Sequence, residues 1–574
     1  MTDRIDRRSF LKIEALGLAQ LASRALLAQK RTIPADSTPG RPLTQIRFEN
    51  RQTRSGVGFV LNNGTIPDKP IIDSMLGGVA LFDLDNDGLL DIFFANGARI
   101  PSLEKDDRIF WNRLYRNNGN GTFSDVTERA GVRGEGYSTG VAAADFDNDG
   151  WTDLYVTGVN RNILYHNNGD GTFTDVTERA GVSAVDANGR KLYSVGAAWL
   201  DYDNDGHLDL FVVNYLDWSV GNSKVCGREG KRLSCPPDLY GGLPNLLYHN
   251  NGDGTFTDVS PSTGIGRHVG KGMSVAVADL DDDGFMDIFV ANDDERNFLF
   301  KNVDGRSFVE VGVESGVAYT DDGLPVSSMG TEFRDVNNDG RPDLIVTDLA
   351  GESFQVFMNA GHGHFIPSTY QARLGYETLQ MSGWGIGAYD FDNDGYKDLF
   401  TANSHVSENA DFYGQGRFQQ PNGVFRNLGD GRFRNVTGQA GAAMQVAAAH
   451  RGCAFGDLNN DGRIDVVVSA IGRPAEVLYN SSAPENHWIL IHLEGIRSNR
   501  DGIGTKIRLT GESGRVQYNH VTTSVGYASS SDRRVHFGLG ADRRVREIQL
   551  RWPSGKIQVL KDVAVDKVIS VPEE

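Results

Sequence analysis

Aspartates recur at the first, third, fifth and ninth positions of short glycine-containing stretches, a spacing suited to caging a hard cation with carboxylate oxygens. DFDNDGWTD, for example, places Asp145, Asp147, Asp149 and Asp153 within nine residues, with Gly150 at the sixth. Four carboxylates so close repel one another unless a cation sits among them. Calcium is the expected ion, because it takes about six to eight oxygens and the sixth-position glycine permits the sharp turn. The pattern starts like an EF-hand loop, but its last ligand falls at position nine and its flanks are not helical.

Seven such loops occur. Their expected ligands are Asp83, Asp85, Asp87 and Asp91 in the first, Asp145, Asp147, Asp149 and Asp153 in the second, and Asp201, Asp203, Asp205 and Asp209 in the third. The fourth offers Asp279, Asp281, Asp283 and Asp287, and the fifth Asp335, Asn337, Asp339 and Asp343. The sixth offers Asp390, Asp392, Asp394 and Asp398, and the seventh Asp457, Asn459, Asp461 and Asp465. Up to seven calcium ions are therefore expected.

These loops must be held by strands. Runs such as GVAAA before a loop and LYVTGV after it are short and rich in small, β-branched and aromatic residues, which is strand composition. A second motif recurs in phase, as in LYHNNGDGTFTDVTERAGV from Leu164, with Asn-Gly and Asp-Gly steps that favour hairpin turns. Each unit reads strand, aspartate loop, strand, strand, glycine turn, strand, with no helix. The loop starts lie 62, 56, 78, 56, 55 and 67 residues apart. Four short strands at this period predict an all-β, seven-bladed β-propeller over residues 44–485. An open solenoid is the rival architecture. The stretch QIRFENRQTRSGVGFVL near the N-terminus looks like a stray repeat end, which predicts that N-terminal strands complete the last blade.

A register comparison identifies the innermost strand. Five residues before each loop stand Gly78, Gly140, Gly196, Ser274, Gly330, Gly385 and Gly452; three before stand Ala80, Ala142, Ala198, Ala276, Glu332, Gly387 and Ala454. Positions two apart share a face, so this face stays small where seven sheets converge. Glu332 is the exception, with Arg334 on the same side. The pair either reaches a ligand in an axial channel or is a solvated or mutually paired couple that tolerates a wet one.

The chain has 574 residues, 69 glycines and a formal charge of −19. Much of the acidity is accounted for as metal ligand, and it gives no basic footprint for nucleic acid. Residues 1–30 hold Arg7, Arg8, Ser9, Phe10, Leu11 and Lys12, matching a twin-arginine export signal. A periplasmic or secreted location is expected, where calcium is available. No apolar run reaches the ~18 residues of a membrane span. Cys226 and Cys235 lie in the insertion that lengthens the third repeat and are expected to form a disulfide in an oxidising compartment. Cys453 reads as a small buried side chain.

Residues 486–574 form a further β-rich unit without an aspartate loop. Its YASSSDRRVHFGLG and RWPSGK stretches resemble the ASPIC/UnbV domain, and the repeats resemble the FG-GAP or VCBS repeats of integrin α subunits. Together they resemble the cartilage acidic protein/UnbV family, over roughly residues 44–574. The resemblance implies calcium at the seven loops and an exported protein of calcium-binding, adhesion-like or matrix type. Asn337, Asn459 and Ser274 depart from the pattern.

Two functions follow. The first is a binding, adhesion or scaffold protein for a glycan, peptide or surface protein. The second is an extracytoplasmic enzyme using the propeller face or channel, with Glu332, Arg334 and residues 216–245 near the chemistry. No nucleophile elbow, H-E-x-x-H or paired cysteine–histidine motif is expected to support it. His362 and His364 align with the glycine turn of other repeats. Asp532, Arg533, Arg534 and His536 offer an anion- or sugar-binding edge, or a strand whose charges face solvent.

Overall fold

Each aspartate loop joins two antiparallel strands, as its flanks dictate. In the first repeat Val79–Phe82, Asp91–Phe94, Arg113–Asn117 and Phe123–Asp125 pair in chain order. The computed structural model describes residues 46–186, 189–482 and 485–574. Within them the same four-strand order recurs from innermost strands Tyr137–Ala144, Ser194–Leu200, Gly272–Ala278, Thr331–Arg334 and Gly383–Tyr389. The seventh sheet is built from His450–Gly456, Asp465–Ala470 and Glu476–Asn480, and Phe48–Asn50 pairs antiparallel onto it as the fourth strand. The chain is thus all-β, with open sheets and the N-terminal strand added to the last repeat as expected. The leader, residues 1–30, lies outside the described residues. Among those described, no helix is long and apolar enough to cross a membrane.

The second strand of each sheet carries apolar side chains on both faces and is buried along its core, as in DLFVVN at Asp209–Asn214. In the first three sheets the outermost strand shows one buried aromatic and then exposed polar residues, as in FTD at Phe173–Asp175. One element departs from the reading of helix-free units. TERA at Thr127–Ala130 and Thr177–Ala180 forms a single helical turn, ended by Gly131 and Gly181 in the left-handed conformation. Asp125 and Asp175 accept from the first backbone N–H of each turn, which fixes its start.

Two sets of asparagine bonds link successive sheets. The fourth loop residue is left-handed in every loop, at φ between +55° and +66°, a conformation asparagine tolerates. Asn86, Asn148 and Asn204 each donate to the sixth-position glycine carbonyl of the next loop, as do Asn338, Asn393 and Asn460, at 2.9–3.0 Å. Asn460 donates to Gly88, returning the seventh loop to the first. The fourth loop carries Asp282 instead, and Lys506 pairs with it. In the second set Asn117, Asn167, Asn250, Asn302, Asn359, Asn427 and Asn480 each reach back to the preceding loop, at 2.7–3.2 Å. We expect Asn148→Ala to cost about 1–2 kcal/mol, from a lost bond and a strained φ. Urea denaturation against Asn148→Gly, which keeps the φ freedom, separates the two terms.

The C-terminal strands form two sheets. Val535–Gly540, His487–Glu494 and Lys567–Pro572 make one; Val516–His520, Lys506–Gly511, Arg544–Arg551 and Ile557–Ala564 make the other. Between them, residues 522–532 run along the innermost strands of the repeats. Ser530 exchanges backbone bonds with Val79 and Leu81, Ala528 accepts from Val141, Gly526 pairs with Thr331, and Asp532 donates to Phe455. Ser524 Oγ donates to Val275. The small face is therefore packed against this segment rather than lining a wet channel. A Cβ on Gly78 would stand 2.4 Å from the Ala528 carbonyl oxygen, and one on Gly330 would stand 1.9 Å from that of Trp384.

Across the molecule, the third-repeat insertion is closed by a Cys226–Cys235 disulfide, as expected. Its hairpin, Cys226–Arg228 with Lys231–Leu233, reaches the sixth repeat, where Tyr413 Oη accepts from Arg228 and donates to Lys231.

Candidate metal centres

The four aspartate positions of each loop do different work. At position one the carboxylate accepts from the backbone N–H of the sixth-position glycine in all seven loops. At position five it accepts from the seventh residue, closing an Asx turn. At position nine one oxygen accepts from the second loop residue and the other from the asparagine of the LYxN motif, again in every repeat, as for Asp153 with Phe146 and Asn167. These bonds preform the loop. They also leave position three as the side chain least committed to the backbone.

Unpartnered oxygens mark where a cation fits. Asp85 Oδ1, Asp203 Oδ1 and Asp392 Oδ1, all at position three, are buried without a hydrogen-bond partner. Ligand atoms of Asp83, Asp85 and Asp91, of Asp145, Asp147 and Asp149, and of Asp201, Asp203 and Asp205 lie within 4.8 Å of one another. Burial pushes Asp145 up to about 8, helped by Asp501 and Asp153, and burial pushes Asp153 and Asp209 up to about 7. Crowded, desolvated carboxylates of this kind suit a hard divalent ion.

Sequence reasoning missed the counter-charges. The residue before the LYxN asparagine points at its own loop. Arg116 donates to Asp85 and Asp87, Lys301 pairs with Asp281, and Arg426 donates to Asp392 and Asp394. In the second and third repeats it is an imidazole: His166 Nδ1 lies 3.3 Å from Asp153 and His249 Nδ1 lies 3.2 Å from Asp209. The fifth and seventh repeats place Met358 and Tyr479 there, and Arg341 and Arg463 pair with Asp339 and Asp461 instead. The variable third letter of LYRN, LYHN, LFKN and VFRN was the available signal. The fourth loop is the most neutralised, since Lys506 also pairs with Asp279.

The C-terminal strands and their connections touch this loop face. Arg500 N donates to Asn148 and its guanidinium stands 3.9 Å from Asp145; Arg515 donates to the Asp394 carbonyl; Arg534 donates to Asn460. Arg533 pairs with Asp501, Arg534 with Asp532, and His536 bonds the Gly462 carbonyl. The polar groups of this stretch are thus largely engaged in internal bonds.

Glu332 and Arg334 are buried and paired. Burial raises Glu332, but one oxygen holds Arg334 and the other accepts from Ala388 N, while Arg334 also bonds Asn519. His362 and His364 are exposed at the fifth glycine turn, and Cys453 is buried in an innermost strand. One G-x-S-x-G string does occur, GYSTG at 136–140, contrary to the expectation of none. Its Ser138 lies buried within the strand Tyr137–Ala144, not on the exposed strand-to-helix turn a nucleophile elbow requires.

The FG-GAP-like repeat matches residues 83–156, 145–212, 237–290, 335–401 and 408–468, more than half of the chain. The chain belongs to the FG-GAP-like repeat family. A further FG-GAP repeat matches residues 272–309, and the ASPIC and UnbV family matches residues 495–574. Cartilage acidic protein 1 of Mus musculus is 24% identical over 513 residues, covering 86% of this chain and 73% of its own. The Homo sapiens protein is 24% identical over 521 residues, covering 86% and 71%. Among solved structures, an Agrocybe aegerita lectin that recognises non-reducing terminal N-acetylglucosamine aligns over 68% of this chain and 90% of its own, at 17% identity and a TM-score of 0.38. A likeness of that size carries no argument.

Proposed function

We propose that this FG-GAP-repeat protein is an exported, calcium-binding seven-bladed β-propeller, residues 44–485, clasped by an ASPIC/UnbV-like β unit, residues 486–574. It acts as a binding, adhesion or scaffold protein for a glycan, peptide or surface protein. The observation that carries the calcium reading is the set of buried third-position oxygens without partners, in loops whose other carboxylates are already fixed by backbone donors. Loops of this kind would hold the ion through the first-, third-, fifth- and ninth-position side chains. The fourth loop, with Lys301 and Lys506 among its aspartates, is the weakest of the seven.

The asparagine bonds support closure, because the last of them joins the seventh loop to the first. The face bearing the aspartate loops is partly occupied by C-terminal residues. A macromolecular partner therefore meets the opposite face, where Val225, Leu239 and Phe412 are each about half exposed around the disulfide hairpin. Glu332 and Arg334 give no support to the enzymatic alternative, since each is sealed against the other.

Asp147→Ala tests the ligand role. We expect it to lower the melting temperature in millimolar calcium by several degrees and to leave the chelated protein little changed, since an occupied site contributes about 2.7 kcal/mol at a hundred times its Kd. Equal shifts in both conditions would show a purely structural aspartate.

A further inference from the structure

Two adjoining cavities of about 240 and 250 Å³ lie between the third to fifth aspartate loops and the C-terminal strands, and both are lined by Asp279, Lys506 and Arg551. Each is a little below the volume range of drug-sized ligand sites, about 300–1,000 Å³, and suits a smaller molecule. Two residues that line the first each carry a buried polar atom without a partner. Asp279, 7% exposed, uses Oδ2 for Gly284 N and Lys506 but leaves Oδ1 unbonded. His520, 6% exposed on the strand Val516–His520, leaves Nε2 unbonded. Buried groups in this state cost about 1–3 kcal/mol each unless something satisfies them.

The lining cations are unequally committed. Lys506 is taken by Asp279 and Asp282, and Arg508 by Glu547. Arg551, at the start of the RWPSGK stretch and exposed, makes no side-chain hydrogen bond or ion pair among the described residues. Its planar fork suits a carboxylate. A doubly charged phosphate would face the carboxylates of Asp279, Asp283 and Asp335 that line the same space. Phe285 and Pro553 supply apolar edges in the second cavity.

We infer that this groove binds a hydroxylated monocarboxylate of the sugar-acid class, with its carboxylate on Arg551 and its hydroxyls on Asp279 Oδ1 and His520 Nε2. The inference rests on the reading of the chain as a binding protein and names one ligand class for it. The ammonium of Lys506 on Asp279 makes the groove a poor metal site, so no calcium ion is required there.

The test is calorimetric titration of the calcium-loaded, full-length protein with D-glucuronate, with D-glucose as the uncharged control. Saturable glucuronate binding is expected, at least tenfold tighter than glucose. Arg551→Met should weaken it at least tenfold without moving the unfolding midpoint, and Ile557→Trp, which fills the first cavity from an exposed position, should abolish it. No saturable glucuronate binding, equal glucose binding, or indifference to both variants would overturn the inference. Ion stoichiometry on the same sample reports on calcium separately, so a fully loaded protein that ignores glucuronate overturns the groove alone.

Discussion

Gly330→Ala and Gly78→Ala are each expected to destabilise the protein by about 3 kcal/mol or more, near the upper end of overpacking costs. The reason is backbone on backbone. A methyl on Gly330 would sit 1.9 Å from the Trp384 carbonyl oxygen, and one on Gly78 would sit 2.4 Å from the Ala528 oxygen and 2.5 Å from the Gly140 Cα. None of these atoms belongs to a side chain that can swing aside. Relief requires moving a neighbouring innermost strand or the axial segment 522–532, which is bonded to five of the seven sheets. Gly438→Ala is the matched control, since no atom lies within 4 Å of its added methyl, and it should stay within about 0.5 kcal/mol. Urea denaturation of the three variants decides it; three equal midpoints would mean that the axis is not the tightly packed region.

Removing calcium is the second large effect. Full-length protein in chelator is expected to melt about 10 °C or more below the same protein in millimolar calcium. Seven sites at a hundred times their Kd would contribute about 19 kcal/mol together, and the unfolding entropy of a unit this size converts each kcal/mol to about 1 °C. The internal cations set a lower bound. Arg116, Lys301 and Arg426 neutralise part of three loops without any metal, so the chelated protein should be weakened rather than unfolded outright. Among the described residues the third loop has only His249 paired with its carboxylates and should lose order first, visible as accelerated amide exchange at residues 201–209.

Much of this was legible in the chain. The period of the aspartate loops and the alternation of strand residues predicted seven sheets, the N-terminal strand on the last of them and the disulfide in the longest repeat. The sheets and the disulfide are local patterns, set within one unit, and the N-terminal strand showed itself as a stray repeat end. What escaped was long-range. The small residues at Gly78, Gly140 and Gly330 announced a crowded face, but spacing says nothing of what crowds it, and Ser530 meets Val79 across some 450 positions of chain. The bonds of Asn86, Asn148 and Asn204 could not be read from spacing, because the acceptor of each is a glycine carbonyl in the next repeat. Arg116 and His166 sat inside the repeat motif as variable letters; only their reach back to the loop gives the variation meaning. Glu332 and Arg334 drew attention as charges on an apolar face, and burial resolved them as a pair.

The most direct test of the central claim is calcium titration of the metal-stripped, full-length protein, with bound ions counted per chain. The account predicts several ions, approaching seven, with the fourth loop filling last. A stripped protein that binds no calcium would contradict it, and would leave the aspartate loops as turns held by their own hydrogen bonds and internal cations.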